Sequence, residues 1–384
     1  MGASLKRTRL AGAVLAMVAA ALAACSAPAP PQNAAPLGLP PVPLPADNAP
    51  TPAKIDLGRK LFFDRRLSFN NTMSCAMCHV PEQGFTSNEL GSAIGVEGRS
   101  LRRNAPTIFN VAYHPRLFHD GREISLENQV WGPLLATNEM ANPSIGYVIE
   151  RIRSLPDYQG RFEAAFDGRA VSPERIGQAI AAYERTVVSG NSRFDRWRYG
   201  GQADALDAQE QHGYRLFIGR AGCVRCHLIG DRDALFSDFG FHNTGIGWLR
   251  SQGTNSSHKV ELIPGLVTEI DARQLATFSE ASQNDVGRFE ITLDPQDSWA
   301  YKTPSLRNVA LTAPYMHDGS LPSLEAVIAF YDAGGIDNPQ RDPLLQPLSL
   351  SAAEKSELAA FLRALTGDNV QALAQDARSA DIGQ

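Results

Sequence analysis

Two stretches, Cys75-Ala76-Met77-Cys78-His79 and Cys223-Val224-Arg225-Cys226-His227, decide how this sequence folds. The C-x-x-C-H spacing is the attachment signature of c-type haem, in which two thiols add to the haem vinyl groups. The adjacent histidine is then placed to ligate the iron from one side. For a single copy, a redox disulfide or half of a zinc site is an alternative. Two copies, which use four of the five cysteines, favour two covalently bound haems c.

The fifth cysteine, Cys25, ends an amino-terminal targeting segment. Basic residues at positions 6, 7 and 9 precede an apolar run over residues 10–24, which is too short for a comfortable membrane span. The run ends in Leu-Ala-Ala-Cys, which resembles the lipobox of bacterial lipoproteins. We therefore expect residues 1–24 to be a lipoprotein signal peptide and Cys25 to be lipidated, with a plain signal peptide as the alternative. This interpretation predicts a periplasmic protein anchored by lipid to the outer membrane.

The length and charge of the chain narrow its class. A chain of 384 residues can form two domains with hydrophobic cores of their own. The net charge of -5 gives no indication of nucleic-acid binding or of a basic membrane-binding patch. Residues 25–52 are rich in Pro and Ala without apolar periodicity, so we expect a tether between the lipid anchor and the folded domains.

The sequence repeats itself around the two motifs. Residues 106–112 (Pro-Thr-Ile-Phe-Asn-Val-Ala) correspond to residues 304–310 (Pro-Ser-Leu-Arg-Asn-Val-Ala). His-Asp-Gly at 119–121 likewise corresponds to His-Asp-Gly at 317–319, and both pairs are 198 residues apart. The C-x-x-C-H motifs are only 148 residues apart, so the second copy has gained about 50 residues. This insertion, roughly residues 230–300, contains Gly, Ser and Asn clusters and predicts long loops.

Helical periodicity dominates elsewhere, and no alternating pattern is long enough to predict a sheet. The helical segments are residues 145–166, 173–188, 324–331 and 351–365. Ser172 and Ser351 are suitable N-caps for two of them. We therefore predict a mainly α protein with two cytochrome c-like helical domains, each holding one haem. The predicted domains are residues 53–200 and 201–370, and residues 371–384 form a tail.

The repeat makes the two predicted haem sites unequal. Tyr331, at the end of a predicted helix, corresponds to Pro133 in the first copy. Proline offers no side-chain ligand to iron and no backbone donor. If Tyr331 ligates the second haem, the equivalent position over the first haem is left without a ligand. Peroxide chemistry requires such an open position, so we expect one haem to bind substrate and the other to store or transfer electrons.

Four further stretches show a more specific resemblance. They are residues 57–64 (LGRKLFFD), 103–107 (RNAPT), 120–122 (DGR) and 313–319 (APYMHDG). Together with the two haem motifs, they resemble the bacterial diheme cytochrome c peroxidase and MauG superfamily over about residues 54–366. Members of this family reduce hydrogen peroxide to water, or use it to form a high-valent diheme oxidant.

The resemblance implies roles for individual residues. His79 would ligate the peroxide-reacting haem, and His227 would ligate the electron-transfer haem. Glu139 matches the catalytic glutamate, which takes a proton from peroxide and returns it to the leaving oxygen. The alternative for Glu139 is a solvated charge at a helix end. Gln129 and Pro133 match positions that line the same distal pocket.

The resemblance also implies a metal ion and partners. Asn104 and the backbone carbonyls of Thr312 and Pro314 match an interdomain calcium site, and calcium prefers such oxygen ligands. The expected partners are hydrogen peroxide and either a small cytochrome c or cupredoxin electron donor or a protein substrate. The resemblance also leaves a homodimer open, because many relatives form one.

Three departures place the chain closer to the MauG-type branch. The loop histidine that caps the first haem in typical diheme peroxidases is replaced by Val96, so we expect this haem to be open without prior reduction. The methionine that typically ligates the second haem is replaced by Tyr331, with Met316 as the nearest rival ligand. The tryptophan commonly found between the haems is replaced by His119. Electron transfer would then use His119 or a neighbouring aromatic residue such as Trp131, unless His119 only hydrogen-bonds a haem propionate.

Three functions follow from these features. The leading hypothesis is a diheme c-type peroxidase that reduces hydrogen peroxide to water with electrons from a small redox protein. The second is a MauG-like oxidase that uses peroxide to form a high-valent diheme, which oxidises a partner protein. The third is a non-catalytic diheme electron-transfer cytochrome, against which Glu139 and the pairing of Pro133 with Tyr331 argue.

Overall fold

A computed structural model of the chain describes residues 35–252, 257–263, 266–271 and 285–380. The predicted signal peptide over residues 1–24 and the predicted lipidation site Cys25 lie outside the described residues. Within the described ranges, no helix is both long enough and apolar enough to cross a membrane.

The fold is mainly helical, as predicted. Its α-helices are α1 (Pro52–Phe63), α2 (Cys75–Cys78), α3 (Leu126–Gln129), α4 (Trp131–Leu135), α5 (Ile145–Ser154), α6 (Arg161–Ala165), α7 (Pro173–Glu184), α8 (Arg193–Arg198), α9 (Ala208–Ile218), α10 (Ile246–Ser251), α11 (Phe289–Thr292), α12 (Leu324–Asp332), α13 (Ala352–Arg363) and α14 (Val370–Arg378). Short 3-10 turns occupy residues 65–67, 81–83, 96–98, 111–113, 156–158, 223–225, 295–297 and 309–311.

Local sequence explains where these helices begin and end. The Ser172 side chain accepts a hydrogen bond from the Arg175 N–H at the start of α7, and Ser351 forms a capping box with Glu354 at the start of α13. Both predicted N-caps are confirmed. The helix predicted over residues 145–166 is interrupted, because a residue that precedes proline disfavours the helical conformation and Leu155 precedes Pro156.

The strands are few and short. They are β1 (Phe241–His242), β2 (Ser257–Ile263), β3 (Leu266–Asp271) and β4 (Tyr301–Lys302). β1 pairs with β4, and β2 pairs with β3, both antiparallel. The β2–β3 pair lies in the insertion for which the sequence predicted long loops, and that expectation is wrong for this segment. The sequence missed it because the apolar residues of β2 do not alternate regularly with polar ones.

Two hydrophobic clusters organise the described chain. The first contains buried residues between Leu57 and Val187, and the second contains buried residues between Phe194 and Leu365. The second cluster begins six residues before the predicted domain boundary at residue 200, and the position of that boundary stays a prediction. We refer to residues 53–200 as the first module and to residues 201–370 as the second module.

A glycine brings two helices close together in each module. Gly58 on α1 faces α7, where a Cβ atom at this position would overlap the carbonyl oxygen of Ala179. Gly213 on α9 faces α13 in the same way, with the overlap on the carbonyl oxygen of Glu357. Both glycines begin the repeated Gly-x-x-Leu-Phe segments that precede the haem motifs. The helix that leads into each motif is therefore held against a second helix by backbone contact.

Gly58→Ala should destabilise the protein because the added methyl group forces α1 away from α7. We expect a loss of about 1–3 kcal/mol, the usual cost of overpacking a core. Gly146→Ala on α5 is the matched control, since the nearest atom to a Cβ there is the Ser144 Oγ at 3.7 Å. Thermal unfolding should show a lower midpoint for Gly58→Ala only. Equal midpoints for the two variants would contradict the close packing of α1 on α7.

Parts of the predicted tether and tail lie against the modules. Leu39 and Asn48 are buried, and the Asn48 side chain donates a hydrogen bond to Glu127 at 2.8 Å. Near the carboxyl end, Ala377 on α14 joins the first hydrophobic cluster. Residues 35–51 and most of residues 371–380 thus pack on the folded chain rather than extend from it. Composition alone could not show this, because a few anchoring contacts are enough to order a Pro-rich segment.

The modules are joined by two equivalent hydrogen bonds. The Asn104 N–H donates to the carbonyl oxygen of His317, and the Lys302 N–H donates to the carbonyl oxygen of His119, each at 2.7 Å. Asn104 and Lys302 are 198 residues apart, as are His119 and His317. Equivalent residues of the two copies therefore make the same hydrogen bond, each to the other module. This exchange places the His-Asp-Gly segment of each module beside the other module.

Candidate functional site

One cavity of about 700 Å³ connects the two C-x-x-C-H motifs. Residues of both motifs line it, including Cys78, His79, Cys223, Cys226 and His227. Its remaining lining comes from both modules and from the residues that join them. The structure therefore brings the two predicted haem-binding motifs to one continuous space.

The two motif histidines are held in the same way. His79 Nδ1 lies 3.2 Å from the carbonyl oxygen of Phe85, and His227 Nδ1 lies 2.9 Å from that of Phe236. Burial lowers the pKa of both imidazoles, which favours their neutral form. A neutral imidazole that donates from Nδ1 keeps Nε2 available for a metal. The Nε2 atoms of His79 and His227 are therefore available to ligate iron.

The structure supports the correspondence between Tyr331 and Pro133. Ser125 caps α3 and Ser323 caps α12, and each of the two residues follows its cap by eight positions. α12 is continuous through Tyr331, whereas the first module has two short helices, α3 and α4, in the same place. Pro133 lacks the N–H that a continuous helix would use there. The substitution thus removes a phenol and also changes the helix that carries it.

Tyr331 and Pro133 both line the cavity. Burial raises the pKa of the Tyr331 phenol. In the described part of the chain, no hydrogen bond reaches its hydroxyl group. An unpartnered hydroxyl group on a residue that lines a cavity leaves its oxygen available to a ligand. Met316 lines the same cavity and remains the rival ligand from the sequence.

Glu139 lies where the sequence predicted a catalytic acid. It lines the cavity together with Gln129 and Pro133. Burial raises its pKa, while the positive charge of Arg122 acts in the opposite direction. A buried carboxyl group whose proton is held more tightly suits general acid–base chemistry. Glu139 is partly exposed, so its catalytic role stays a prediction and the solvated charge at a helix end stays the alternative.

The loop that carries Val96 supports Glu139. The Val96 N–H donates to the carbonyl oxygen of Glu139 at 2.9 Å, and the Val96 side chain is 2% exposed. A Cβ atom on the neighbouring Gly95 would overlap the carbonyl oxygen of Asn138. The loop is therefore packed on the backbone of the candidate acid. Its buried residue is an apolar side chain that cannot ligate iron.

His119 lies in the region between the modules, where its Nε2 is 2.9 Å from the carbonyl oxygen of Asn104. Burial lowers its pKa to about 3, and the neighbouring His317 contributes in the same direction. The His317 ring stacks on Tyr301 with 3.5 Å between ring centroids and 10° between planes. Trp131 packs against the first hydrophobic cluster, and the choice between His119 and Trp131 for the electron path stays a prediction.

The predicted calcium ligands lie at the edge of the same cavity. Asn104, Thr312 and Pro314 all line it. The Asn104 side-chain amide donates to the carbonyl oxygen of Gly91 at 3.1 Å. This bond uses the nitrogen of the amide, so its oxygen stays available as a ligand. The calcium site itself stays a prediction.

Three cavity-lining residues were missed by sequence reasoning: Lys302, His114 and Glu184. Burial raises the pKa of Glu184 to about 8, and one of its carboxyl oxygens has no hydrogen-bond partner among the described residues. Lys302 could have been found from the repeat, because it corresponds to Asn104. His114 and Glu184 carry no comparable signal, since neither belongs to a matched pair.

Comparison with known proteins decides the family. A model of the di-haem cytochrome c peroxidase family matches residues 52–204. Cytochrome-c peroxidase IdrP1 of Denitromonas iodatirespirans is 39% identical over 359 residues, which cover 91% of each chain. The chain belongs to the di-haem cytochrome c peroxidase family. Methylamine utilization protein MauG of Methylorubrum extorquens is 35% identical over 85% of this diheme protein and 82% of its own chain.

Solved structures agree with this assignment. A MauG-like protein associated with microbial copper homeostasis has a TM-score of 0.70 and 33% identity, over 88% of this chain and 95% of its own. The diheme peroxidase BthA from Burkholderia thailandensis has a TM-score of 0.68 and 25% identity, over 88% and 96% of the two chains. The two cytochrome c-like domains and the two haems c predicted from the sequence are therefore confirmed at the level of the family.

The residues present fit two haems. A cavity of about 700 Å³ reaches Cys78 of the first motif and both cysteines of the second, and the Nδ1 atoms of His79 and His227 each lie near a backbone carbonyl oxygen, which leaves Nε2 free for a metal. The ligand atoms of Cys226, Asp238 and His242 lie within 4.8 Å of one another, a group that could also hold a metal ion. The family assignment favours haem at this motif, and haem attachment would use the Cys226 sulfur in a thioether bond rather than as a metal ligand.

Proposed function

We propose that this diheme protein reduces hydrogen peroxide to water at the haem on His79, with electrons that pass through the haem on His227. The observation that supports this proposal is the unequal lining of the cavity. The second module presents the phenol of Tyr331, whereas the first presents Pro133, Gln129 and Glu139. A protein that only carries electrons has no need of this difference.

Glu139 supplies the proton chemistry in this proposal. Haem, when bound, supplies an iron atom that coordinates peroxide and exchanges electrons with it. With peroxide bound, the Glu139 carboxylate would take a proton from one peroxide oxygen and give it to the other, which would leave as water. Gln129 and Pro133 complete the wall of this pocket. Neither Pro133 nor the buried Val96 competes with peroxide for the iron.

Stopped-flow mixing of the ferric protein with peroxide, with and without a reduced small cytochrome c, tests the proposal. We expect rapid, repeated oxidation of the reduced cytochrome. This result requires no preceding reduction of the protein, because Val96 replaces the capping histidine. Failure to consume peroxide under either condition would contradict the proposed function.

The MauG-like alternative is favoured by one residue, Tyr331. A phenolate is a hard anionic ligand that favours oxidised iron, which suits an oxidant acting on a partner protein. In the same stopped-flow experiment, a long-lived oxidised species without turnover of the cytochrome would support this alternative. A non-catalytic electron carrier would show neither behaviour.

We also propose the finer features that the resemblance implied. Asn104, with the carbonyl oxygens of Thr312 and Pro314, holds Ca²⁺ between the modules. His119 contributes to the electron path between the haems. The electron donor is a small cytochrome c or cupredoxin, and the protein works in the periplasm, lipidated on Cys25. Metal analysis of the purified protein and mass spectrometry of its amino terminus test the first and last of these features.

A further inference from the structure

Lys302 is a partly buried cation without an anionic partner among the described residues. It lines the cavity from β4, and no carboxylate of the described residues lies within salt-bridge distance of its ammonium group. Its Nζ atom lies over the Phe239 ring, 5.8 Å from the ring centroid. Burial lowers the pKa of Lys302 to about 8. A charge removed from water is costly unless it is paired, so this position fits a negative group that the described residues do not supply.

His114 adds a second unsatisfied group beside it. Its Nε2 atom is buried and has no hydrogen-bond partner among the described residues. The His114 ring packs on Phe239 with 5.1 Å between centroids, so both unpartnered groups lie next to the same phenyl ring. Both line the cavity that connects the haem motifs. Two unpaired polar groups beside one phenyl ring, both on residues that line a cavity, indicate a ligand-binding site.

We propose that Lys302 and His114 together bind a propionate carboxylate of one of the two haems. Haem propionates are the anionic groups that a diheme protein brings into this cavity. A carboxylate accepts a charge-assisted hydrogen bond from the ammonium group and a second from the imidazole N–H. Lys302 comes from the second module and His114 from the first, so the site also joins the modules through the cofactor. This inference rests on haem binding and not on the peroxide reaction.

The backbone fixes Lys302 at this place. β4 pairs with β1, with Lys302 opposite Phe241 and Tyr301 opposite His242. The Lys302 N–H donates to the His119 carbonyl oxygen across the module boundary at 2.7 Å. The position equivalent to Lys302 in the first module is Asn104, which is uncharged. The added positive charge is therefore present on only one side of the repeat, and it distinguishes the two haems electrostatically.

The test compares Lys302→Met with Lys302→Arg, and uses Lys54→Met as a matched control. Lys54 loses the same charge but does not line the cavity. Haem content and folding are checked first. Both should be unchanged in every variant, because the cysteines hold both haems covalently. Reduction potentials are then measured by spectroelectrochemistry, and propionate bending modes by resonance Raman spectroscopy.

Removal of a positive charge beside a haem favours its ferric form. In Lys302→Met we expect one of the two haems to be harder to reduce. At the midpoint potential that this haem has in the wild type, its ratio of reduced to oxidised form should fall about tenfold. The propionate mode of that same haem should shift, which identifies the haem concerned. Lys302→Arg should restore most of both effects, and Lys54→Met should show neither. His114→Leu should shift the same propionate mode.

Unchanged potentials and unchanged propionate modes in a folded Lys302→Met protein would overturn the proposal. Equal shifts in Lys302→Met and Lys54→Met would overturn it too, because they would reflect net charge alone. Peroxide turnover is measured separately on each variant. If the wild type turns over peroxide but Lys302→Met shows no spectroscopic change, only the propionate site is contradicted. If the wild type does not turn over peroxide, only the proposed function is contradicted.

Discussion

Glu139→Gln is expected to slow the reaction of the ferric protein with peroxide by a factor of about 10² or more, the usual scale of acid–base catalysis. Glutamine keeps the size and the hydrogen-bonding ability of the side chain but cannot carry the proton from one peroxide oxygen to the other. The effect should appear in the bimolecular rate constant for peroxide consumption, measured by stopped-flow absorbance. Both haems should stay attached, with unchanged spectra before mixing.

Glu150→Gln is the matched control for this variant. Glu150 lies on the exposed surface of α5 and pairs with Arg153 at 2.6 Å. The control should react with peroxide at the wild-type rate. If Glu139→Gln also reacts at that rate, Glu139 has no part in the reaction, and another buried acid such as Glu184 would have to supply the proton.

Tyr331→Phe is expected to abolish the low-spin signature of the second haem while leaving both haems covalently bound. Phenylalanine fills the same space but offers no oxygen ligand, so the iron held by His227 loses its second axial ligand. Electron paramagnetic resonance of the ferric variant should then show high-spin signals from both haems. The loss should also impair turnover with a reduced cytochrome, because the electron-storing haem has changed its ligands.

Tyr315→Phe provides the control in the same module and the same cavity. The Tyr315 hydroxyl donates to the carbonyl oxygen of Val309 at 2.9 Å, so its removal should cost about 1 kcal/mol of stability and leave the low-spin signal intact. A low-spin signal that survives in Tyr331→Phe would identify a different ligand. Met316→Leu would then test the nearest alternative.

The haem-binding motifs were predictable because each lies within five consecutive residues. The spacing of Cys75, Cys78 and His79 is set by covalent chemistry, and the same holds for the second motif. The repeat extended this signal to Tyr331 and Pro133, and the N-caps of α3 and α12 show the same register. Residues that keep a fixed offset from a repeated motif can be placed without a structure.

Contacts between distant segments were not predictable in this way. The packing of Leu39 and Asn48 depends on surfaces formed by residues far along the chain. The grouping of Lys302 with His114 depends on the pairing of β4 with β1 and on contact between the modules. Lys302 and His114 belong to no sequence motif. Each stands out only because its polar group has no partner among the described residues. An unsatisfied group of this kind depends on contacts in the folded protein, so the sequence does not reveal it.

The central claim is that the two haem sites are unequal, with an open position at the first and Tyr331 at the second. Electron paramagnetic resonance of the untreated ferric protein tests this claim most directly. One high-spin and one low-spin ferric signal of equal intensity are predicted, with the low-spin signal lost in Tyr331→Phe. Two low-spin signals in the untreated protein would contradict the claim, because both irons would then be fully ligated.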